Sequence, residues 1–595
     1  MATITTNSSE QVFQIKNWLG LNESPDGDTD LKPGEASEMR NFRITREQNL
    51  QIRAGYAMRH DLGDGPVRCL WSGYVAGINV MLAVCSGKLW RVDGATAVEC
   101  GAVKDGHAFM FGFGGNAYIL AGGEYYKWNG TTLSVVEGYA PIVTVATPPA
   151  GGGSLFEPIN RLTGKRRQRF SPDGTAKTFK LSESGLIAIS TVSRTDGGTL
   201  PDWTADPAAG TVTFSTAPAV GTDCIVIAYD KGTSDRASVT SMKFAEIYGG
   251  TTDSRVFLYG DGTNRTFYSD IDDNGATNAE YFPDLNVLTA GAENTPITGM
   301  IRHFTRMIVF KLDGAWSVAS SSMTLSDNNV TAAFYLTPIQ RDIGNAAPGQ
   351  VYLVGNNPRT VANGAVYEWK SSGGYLGSSD ERILKRLSQR VETTLQTWDI
   401  TKCVAFDDDH AMEWYLFFNG KALVQNYEND SWYLYTGINA TCMERHGNDL
   451  FFGTPDGEIM HFDEEYRNDN GADIDAYWES GAMSFGRDWR RKYSANMWVA
   501  MKPESQGRVT MTMRSNKKGD YAEKVVSSSL STFSHVDFAH WSFATNREPQ
   551  VKKVRIKVKK FTYSTLIFQS KSSTATATIL GVDFKIRYTG NVKQR

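Results

Sequence analysis

The chain of 595 residues is 41% hydrophobic and 11% aromatic, with 57 glycines against 19 prolines; this excludes a disordered or collagen-like chain and points to an ordered, turn-rich protein of two to four domains. Its longest apolar runs fall short of the roughly 20 residues that cross a bilayer, and the start MATITTNSSEQVFQIKNW has no basic stretch ahead of an apolar block, so neither a transmembrane segment nor a secretory signal is expected. The formal net charge of -4 hides a division: of 61 Lys and Arg and 65 Asp and Glu, 22 and 7 lie from Arg487 onward, a balance of +15 there and -19 before it, which speaks of partners rather than of fold.

Residues 1–64 are polar and turn-rich, with NFRI and LQIRAGY as short strands about a charged turn, and read as an extended segment joining the body. From 65 to 151 come alternating runs such as INVMLAVC, followed by SGKLWRVDG and, 36 residues later, GGEYYKWNG. The unit returns as DGAWSVAS from Asp313, NGAVYEW from Asn363, NGKALVQNYENDSWYLYTG from Asn419 and DGEIMHFDEE from Asp456. Asn-Gly or Asp-Gly between apolar runs is a strong hairpin signal, because both central residues of a type I′ turn take positive φ. Spacings between 36 and 56 residues match the blades of a β-propeller, whose small sheets must pack face to face. Six to eight blades are expected over 65–151 and 236–486, with Trp90, Tyr126, Trp316, Tyr367, Trp369 and Trp432 filling the interior. A stack of β-sandwiches is the rival architecture.

Over 152–235 the pattern breaks. After the linker TPPAGGGSL, the runs GLIAISTVS and GTVTFSTAPAVGTDCIVIAYD alternate without the repeat and read as an inserted small β domain. Within it Lys165, Arg166, Arg167 and Arg169 form a local basic patch. In SSDERILKRLSQRVETTL, the four-residue spacing of Ile383, Leu387 and Val391 predicts an amphipathic helix of about four turns. From 487 to 595, Val554, Ile556 and Val558 alternate with Arg555, Lys557 and Lys559, and Val582, Phe584, Ile586 and Tyr588 repeat the arrangement, as in a basic β-sandwich. The fold class is therefore all-β: a β-propeller with an inserted small β domain and a C-terminal β-sandwich.

No stretch matches GxxxxGKS/T, GxGxxG in a strand-helix setting, HExxH or GxSxG, so no catalytic residue and no cofactor is assigned and no enzyme is expected. The six cysteines lack CxxC spacing and read as free thiols. DIDDNG places Asp270, Asp272 and Asn274 as at the start of a calcium loop, but Tyr281 stands where the bidentate acid belongs, and a capped turn is the other reading. Asp26, Asp28 and Asp30 are a second such stretch, and Asp407, Asp408 and Asp409 read as a solvated hairpin end rather than a glycosidase pair. Arg555, Lys557, Lys559, Lys585 and Arg587 are candidates to meet an acidic protein surface or phosphates, without base-specific reading.

The segment LKPGEASEMRNFRITREQNLQIRAGYAMR, together with SRVFLYGDGTNRTFYSDIDD, YFPDLNVL, ITGMIRHFTRMIVFKLDGAWSVA and the WESGAMSFGRDWRRKY junction, resembles the tail proteins of short-tailed bacteriophages that form the hub or nozzle beneath the portal and adaptor, including those called packaged-DNA stabilisation proteins. The resemblance spans most of residues 17–495. It implies a β-propeller body assembled as a homo-oligomeric ring, often sixfold, around the tail channel of a virion built in the bacterial cytoplasm. Such a ring retains packaged DNA and conducts it during ejection, without catalysis. The implied partners are the portal or adaptor protein, tail fibre, spike or needle proteins, and double-stranded DNA. An acidic body would repel the phosphates of passing DNA. The insertion departs from the pattern. A glycan-processing β-propeller enzyme and a carbohydrate-binding module are the alternatives.

Overall fold

The computed structural model describes residues 10–23, 31–250, 253–324, 330–371, 382–530 and 548–592. Asp26, Asp28 and Asp30, and the start of the expected helix, lie outside them. The chain is nearly all β, and it divides into two compact units: residues 68–351 with 371–382, and residues 1–67, 352–370 and 383–595.

The repeat writes four-stranded antiparallel meanders of the propeller-blade kind, seven among the described residues. Four belong to the 68–351 unit and start at Val67, Ala108, Phe244 and Ile297; three belong to the other and start at Tyr352, Val404 and Cys442. In the last of these the fourth strand is Gly55–Asp61, which pairs antiparallel with Glu458–Asp463. All six copies of the sequence motif occupy the same place, the turn between the second and third strands of a meander. Gly87, Gly123, Gly314, Gly364, Gly420 and Gly457 sit there. Asn363 and Gly364 have φ of 51° and 71°, and Asn419 and Gly420 have 47° and 73°, as a type I′ turn requires. Gly457 has a second reason to be glycine: a Cβ there would lie 1.7 Å from the Gly63 carbonyl oxygen.

The inserted domain begins at Ile142 rather than at 152. Ile142–Thr147 pairs in parallel with Lys165–Phe170, in a sheet completed by Ser154–Leu155, Ala188–Arg194 and Ile225–Asp230. Thr178–Lys180, Trp203–Asp206 and Thr211–Phe214 form a second, three-stranded sheet. Phe170, Phe179, Val212, Phe214, Ile225 and Ile227 are fully buried in a core of their own.

The C-terminal strands do form two sheets around one core, but not by themselves. Thr578–Asn591 pairs with Arg490–Met501 and also with Glu10–Ile15 and Leu50–Ile52. In the facing sheet Ser564–Ser572 pairs with Gly507–Ser515 and with Ile474–Ser480, which in turn pairs with Glu35–Arg40. The N-terminal segment is thus built into the sandwich as well as into a meander. Alternation identifies a half-buried strand but not its partner.

The helix expected from Ile383, Leu387 and Val391 is not formed. Arg382–Arg386 is a strand closing the meander that starts at Tyr352, and only Glu392–Leu395 is helical. Ile383 is exposed, whereas Val391 and Leu395 are buried. The four-residue spacing therefore runs across a strand, a turn and one helical turn, and sheet completion outweighs a local helical pattern.

Candidate interaction face

The strand Val558–Phe561 pairs with Arg490–Met501, which pairs with Thr578–Asn591, which pairs with Glu10–Ile15. This register sets Lys559, Tyr493, Arg587 and Glu10 directly opposite one another on the outward face of the sheet. Behind them Val558, Phe584 and Ile586 are fully buried. Tyr493, Lys559, Lys560, Arg587, Tyr588 and Thr589 line a shallow recess of about 390 Å³. Arg487 and Arg490 approach the Tyr588 ring from the same end of the sheet, at 4.7 and 5.8 Å from its centroid, near enough for cation–π attraction. The ridge expected as one strand is broken: Gln550–Val554 and Val558–Phe561 pair separately, and Arg555 and Lys557 lie in the break. The alternation survives it, with Arg555, Lys557 and Lys559 exposed and Val554, Ile556 and Val558 buried.

Lys585 bonds Glu10 at 2.8 Å. That bond, with Arg587 nearby, holds the Glu10 carboxyl below its usual range. Arg555, Lys557 and Lys559 have no ion-pair partner among the described residues. These three cations can therefore attract an anionic surface without first giving up an internal partner, and the face presents aromatic as well as cationic area.

The other basic cluster is different. Arg166 is buried and paired with Glu183, and Lys165 Nζ lies 2.5 Å from Glu137. Arg167 and Arg169, two apart and hence on one face of their strand, both reach Asp273 at 3.3 Å. Asp273 belongs to the DIDDNG hairpin, so the two stretches singled out in the sequence meet, through the one aspartate that the calcium pattern skips. Tyr139 completes the cluster, its hydroxyl 2.7 Å from Arg167 Nη2 and 2.8 Å from Asp273 Oδ1. Burial acts to raise the Asp273 carboxyl, but the bonds from Tyr139 and Arg167 outweigh it and leave it below its usual value. Beside them, burial pushes Glu157 up to about 7. These arginines fasten the inserted domain to its neighbouring hairpin rather than forming an open patch.

The calcium candidates are likewise engaged. Asp270 pairs with Arg255 and accepts from Asn286 Nδ2 at 2.9 Å, and Asp272 Oδ1 accepts from the backbone amides of Asn274 and Ala276 at 2.9 and 3.0 Å. That is a capped turn. Among the described residues no group of three His, Cys, Asp or Glu side chains is arranged to hold a metal.

Sequence reading missed a polar cavity of about 340 Å³ in the second unit, lined by Arg43, Arg53, Asp408, Glu413, Arg445 and Glu464 among others. Its acids are already partnered. Asp408 takes two bonds from Arg445, at 2.8 and 2.6 Å; Glu413 accepts from Tyr415 at 2.6 Å and from Tyr433; Glu464 is 2.7 Å from Arg43. The triple-Asp stretch does end a hairpin, with Asp409 exposed in its turn, but Asp408 is 1% exposed and so is not solvated as expected. Its strand turns Asp407 and Asp408 to opposite faces and buries Asp408 against Arg445. The signal was in the sequence as FDD continuing an alternating run, but the arginine partner lies 37 residues on.

No protein-family model and no curated protein matches the chain. Solved structures that align with it include a computationally designed protein, Ika8, at 10% identity over 69% of this chain and 99% of that one, with a TM-score of 0.27. An exo-β-1,3-galactanase from Phanerochaete chrysosporium aligns at 10% identity over 81% of this chain and 96% of that one, with a TM-score of 0.17. The core factor of S. cerevisiae aligns at 6% identity over 56% and 57%, with a TM-score of 0.25. At these scores the likenesses carry no argument about what the chain does. The fold stands on the chain's own strands, which are all-β and propeller-like.

Proposed function

We propose that the chain is a structural subunit of a short bacteriophage tail, a hub or nozzle protein that assembles as a ring around the DNA channel, retains packaged DNA and conducts it during ejection. The observation that carries this reading is the outward face with Lys559, Tyr493 and Arg587 in one row and Arg555 and Lys557 beside it. It belongs to a stretch of +15 in a chain that carries -19 elsewhere. A ring of otherwise acidic bodies needs an opposed surface to associate, and this face supplies one. The sequence resemblance of residues 17–495 to tail hub proteins supplies the setting. In the polar cavity beside Arg43 and Arg53, Asp408, Glu413 and Glu464 are each held by arginine or tyrosine and do not form a free pair to flank a glycosidic bond.

Reversing Arg555, Lys557 and Lys559 together to Glu tests the role of the face. These side chains are exposed and unpaired, so the protomer should keep its melting temperature, with stability changed by about 0.5 kcal/mol or less per site. Assembly into rings or tails should fail. Normal assembly with altered DNA retention or ejection would instead assign the face to packaged DNA. Salt weakens both contacts, so the readout is particle composition rather than salt dependence.

A further inference from the structure

We propose that the joint between the inserted domain and the 270–278 hairpin is a proton-held clasp, closed while Glu157 carries a proton and loosened when that proton is lost. Both sides belong to the 68–351 unit. Glu157 comes from the inserted domain, in the loop after Ser154–Leu155, and Asp273 from the turn between Asp270–Ile271 and Thr277–Asn278. The two carboxyls converge on one hydroxyl, that of Tyr139, which lies 2.8 Å from Asp273 Oδ1 and 3.2 Å from each oxygen of Glu157. Arg167 Nη2 and the Asp273 backbone amide donate to the same hydroxyl oxygen, at 2.7 and 3.0 Å, and so take up both of its lone pairs. One proton is left to serve two carboxyls.

The surrounding bonds decide which carboxyl goes without. Asp273 is the nearer acceptor, and its other oxygen takes Arg167 Nη1 and Arg169 Nη2, both at 3.3 Å. Glu157 has no ion-pair partner among the described residues; apart from Tyr139 it accepts only from the Ile142 amide. Where two carboxyls share a site, the one held by fewer charged partners keeps a proton. Glu157 is half-buried, and burial, with the Asp273 charge adding to it, pushes its carboxyl up to about 7, while Asp273 stays below its usual value. The other groups facing Glu157 do not change charge in this range. Arg167 is a guanidinium and stays charged; Tyr139 and Tyr281, with ring centroids 5.0 Å apart, are pushed upward by burial and stay neutral, and Asp270 and Asp284 act on Tyr281. A carboxyl raised on closing favours the closed state at low pH, and it loses that advantage as pH climbs from its free value, about 4.3, through its folded one.

Hydrogen exchange of the full chain, followed by mass spectrometry and corrected for the pH dependence of free amides, tests the clasp at peptides holding Ile142 and Asp273, whose amides bond Glu157 and Tyr139. Opening, read as loss of protection, should be about tenfold more frequent at about pH 8 than at about pH 6. Glu157→Gln, which is neutral at every pH, should remove the change and exchange at the higher pH as slowly as the unaltered chain does at the lower one. Equal protection of the unaltered chain at both pH values would overturn the proposal. So would a Glu157→Gln chain that keeps the change, or one as open at both pH values as the unaltered chain is at the higher.

Discussion

Replacing Arg53 with Leu is expected to lower the stability of the unit that contains it by about 3–5 kcal/mol, the cost of leaving one member of a buried ion pair alone. Arg53 and Asp469 have side chains 1% and 8% exposed and bond at 2.8 and 2.5 Å. The same guanidinium donates to Asn41 Oδ1 and to the carbonyls of Ala54 and Thr436, each at 2.9 Å. Of these five bonds, three tie the N-terminal segment to the 404–436 meander and to the loop at 469 and two lie within the segment, and all are lost together. The loss should depend on pH. Burial already raises the Asp469 carboxyl above its ordinary value even with Arg53 beside it, and removing the arginine raises it further. A carboxyl raised on folding costs stability as pH climbs from its unfolded value, about 4, through its folded one. The deficit of Arg53→Leu should thus be larger at pH 8 than at pH 5, measured by urea unfolding at both. A deficit near zero, or one that shrinks toward pH 8, would show that the pair does not hold this region. Adding Asp469→Leu to Arg53→Leu removes the stranded charge and should recover part of the loss.

Trp18→Ala should cost a similar amount, about 3–5 kcal/mol, the range for truncating a large buried aromatic. Trp18 is 1% exposed and packs edge-on against Trp478 with ring centroids 4.8 Å apart, and against Phe568 at 6.2 Å. Those partners come from two paired strands of the C-terminal sandwich, Ile474–Ser480 and Ser564–Ser572. The substitution is made at the start of the chain, yet its effect should appear in the sandwich. Hydrogen exchange should speed up in both of those strands. Exchange changed only near residue 18 would mean that the N-terminal segment is an appendage and not part of the sandwich.

What was legible in the sequence was local. Positive φ at Asn363–Gly364 and Asn419–Gly420, and apolar alternation on either side, are properties of a few consecutive residues, and such signals located the second-to-third-strand turn in six of the seven described meanders. The alternation of 554–559 likewise foretold which side chains are exposed, even though the strand is interrupted. What was not legible depended on distant partners. Nothing in FQI or LQI says that these strands pair with residues more than 500 positions away. Nothing in KRRQRF says that Asp273 will meet Arg167 and Arg169. The helix at Ile383 was misread because a four-residue apolar spacing is also what a strand end, a turn and a short helix give in succession. The interaction face stands between these cases. Its cations and their exposure could be read from the chain, but the row that joins Lys559 to Arg587 through Tyr493 exists only once the strands are in register.

The central claim, that the chain works as a subunit of a ring and not alone, is tested most directly by native mass measurement of the full chain, free and in assembled particles. The account predicts a closed multiple of the 65.6 kDa protomer, reduced to the single protomer by reversing Arg555, Lys557 and Lys559. A protein that stays at 65.6 kDa under every assembly condition and turns over a host polysaccharide would contradict it.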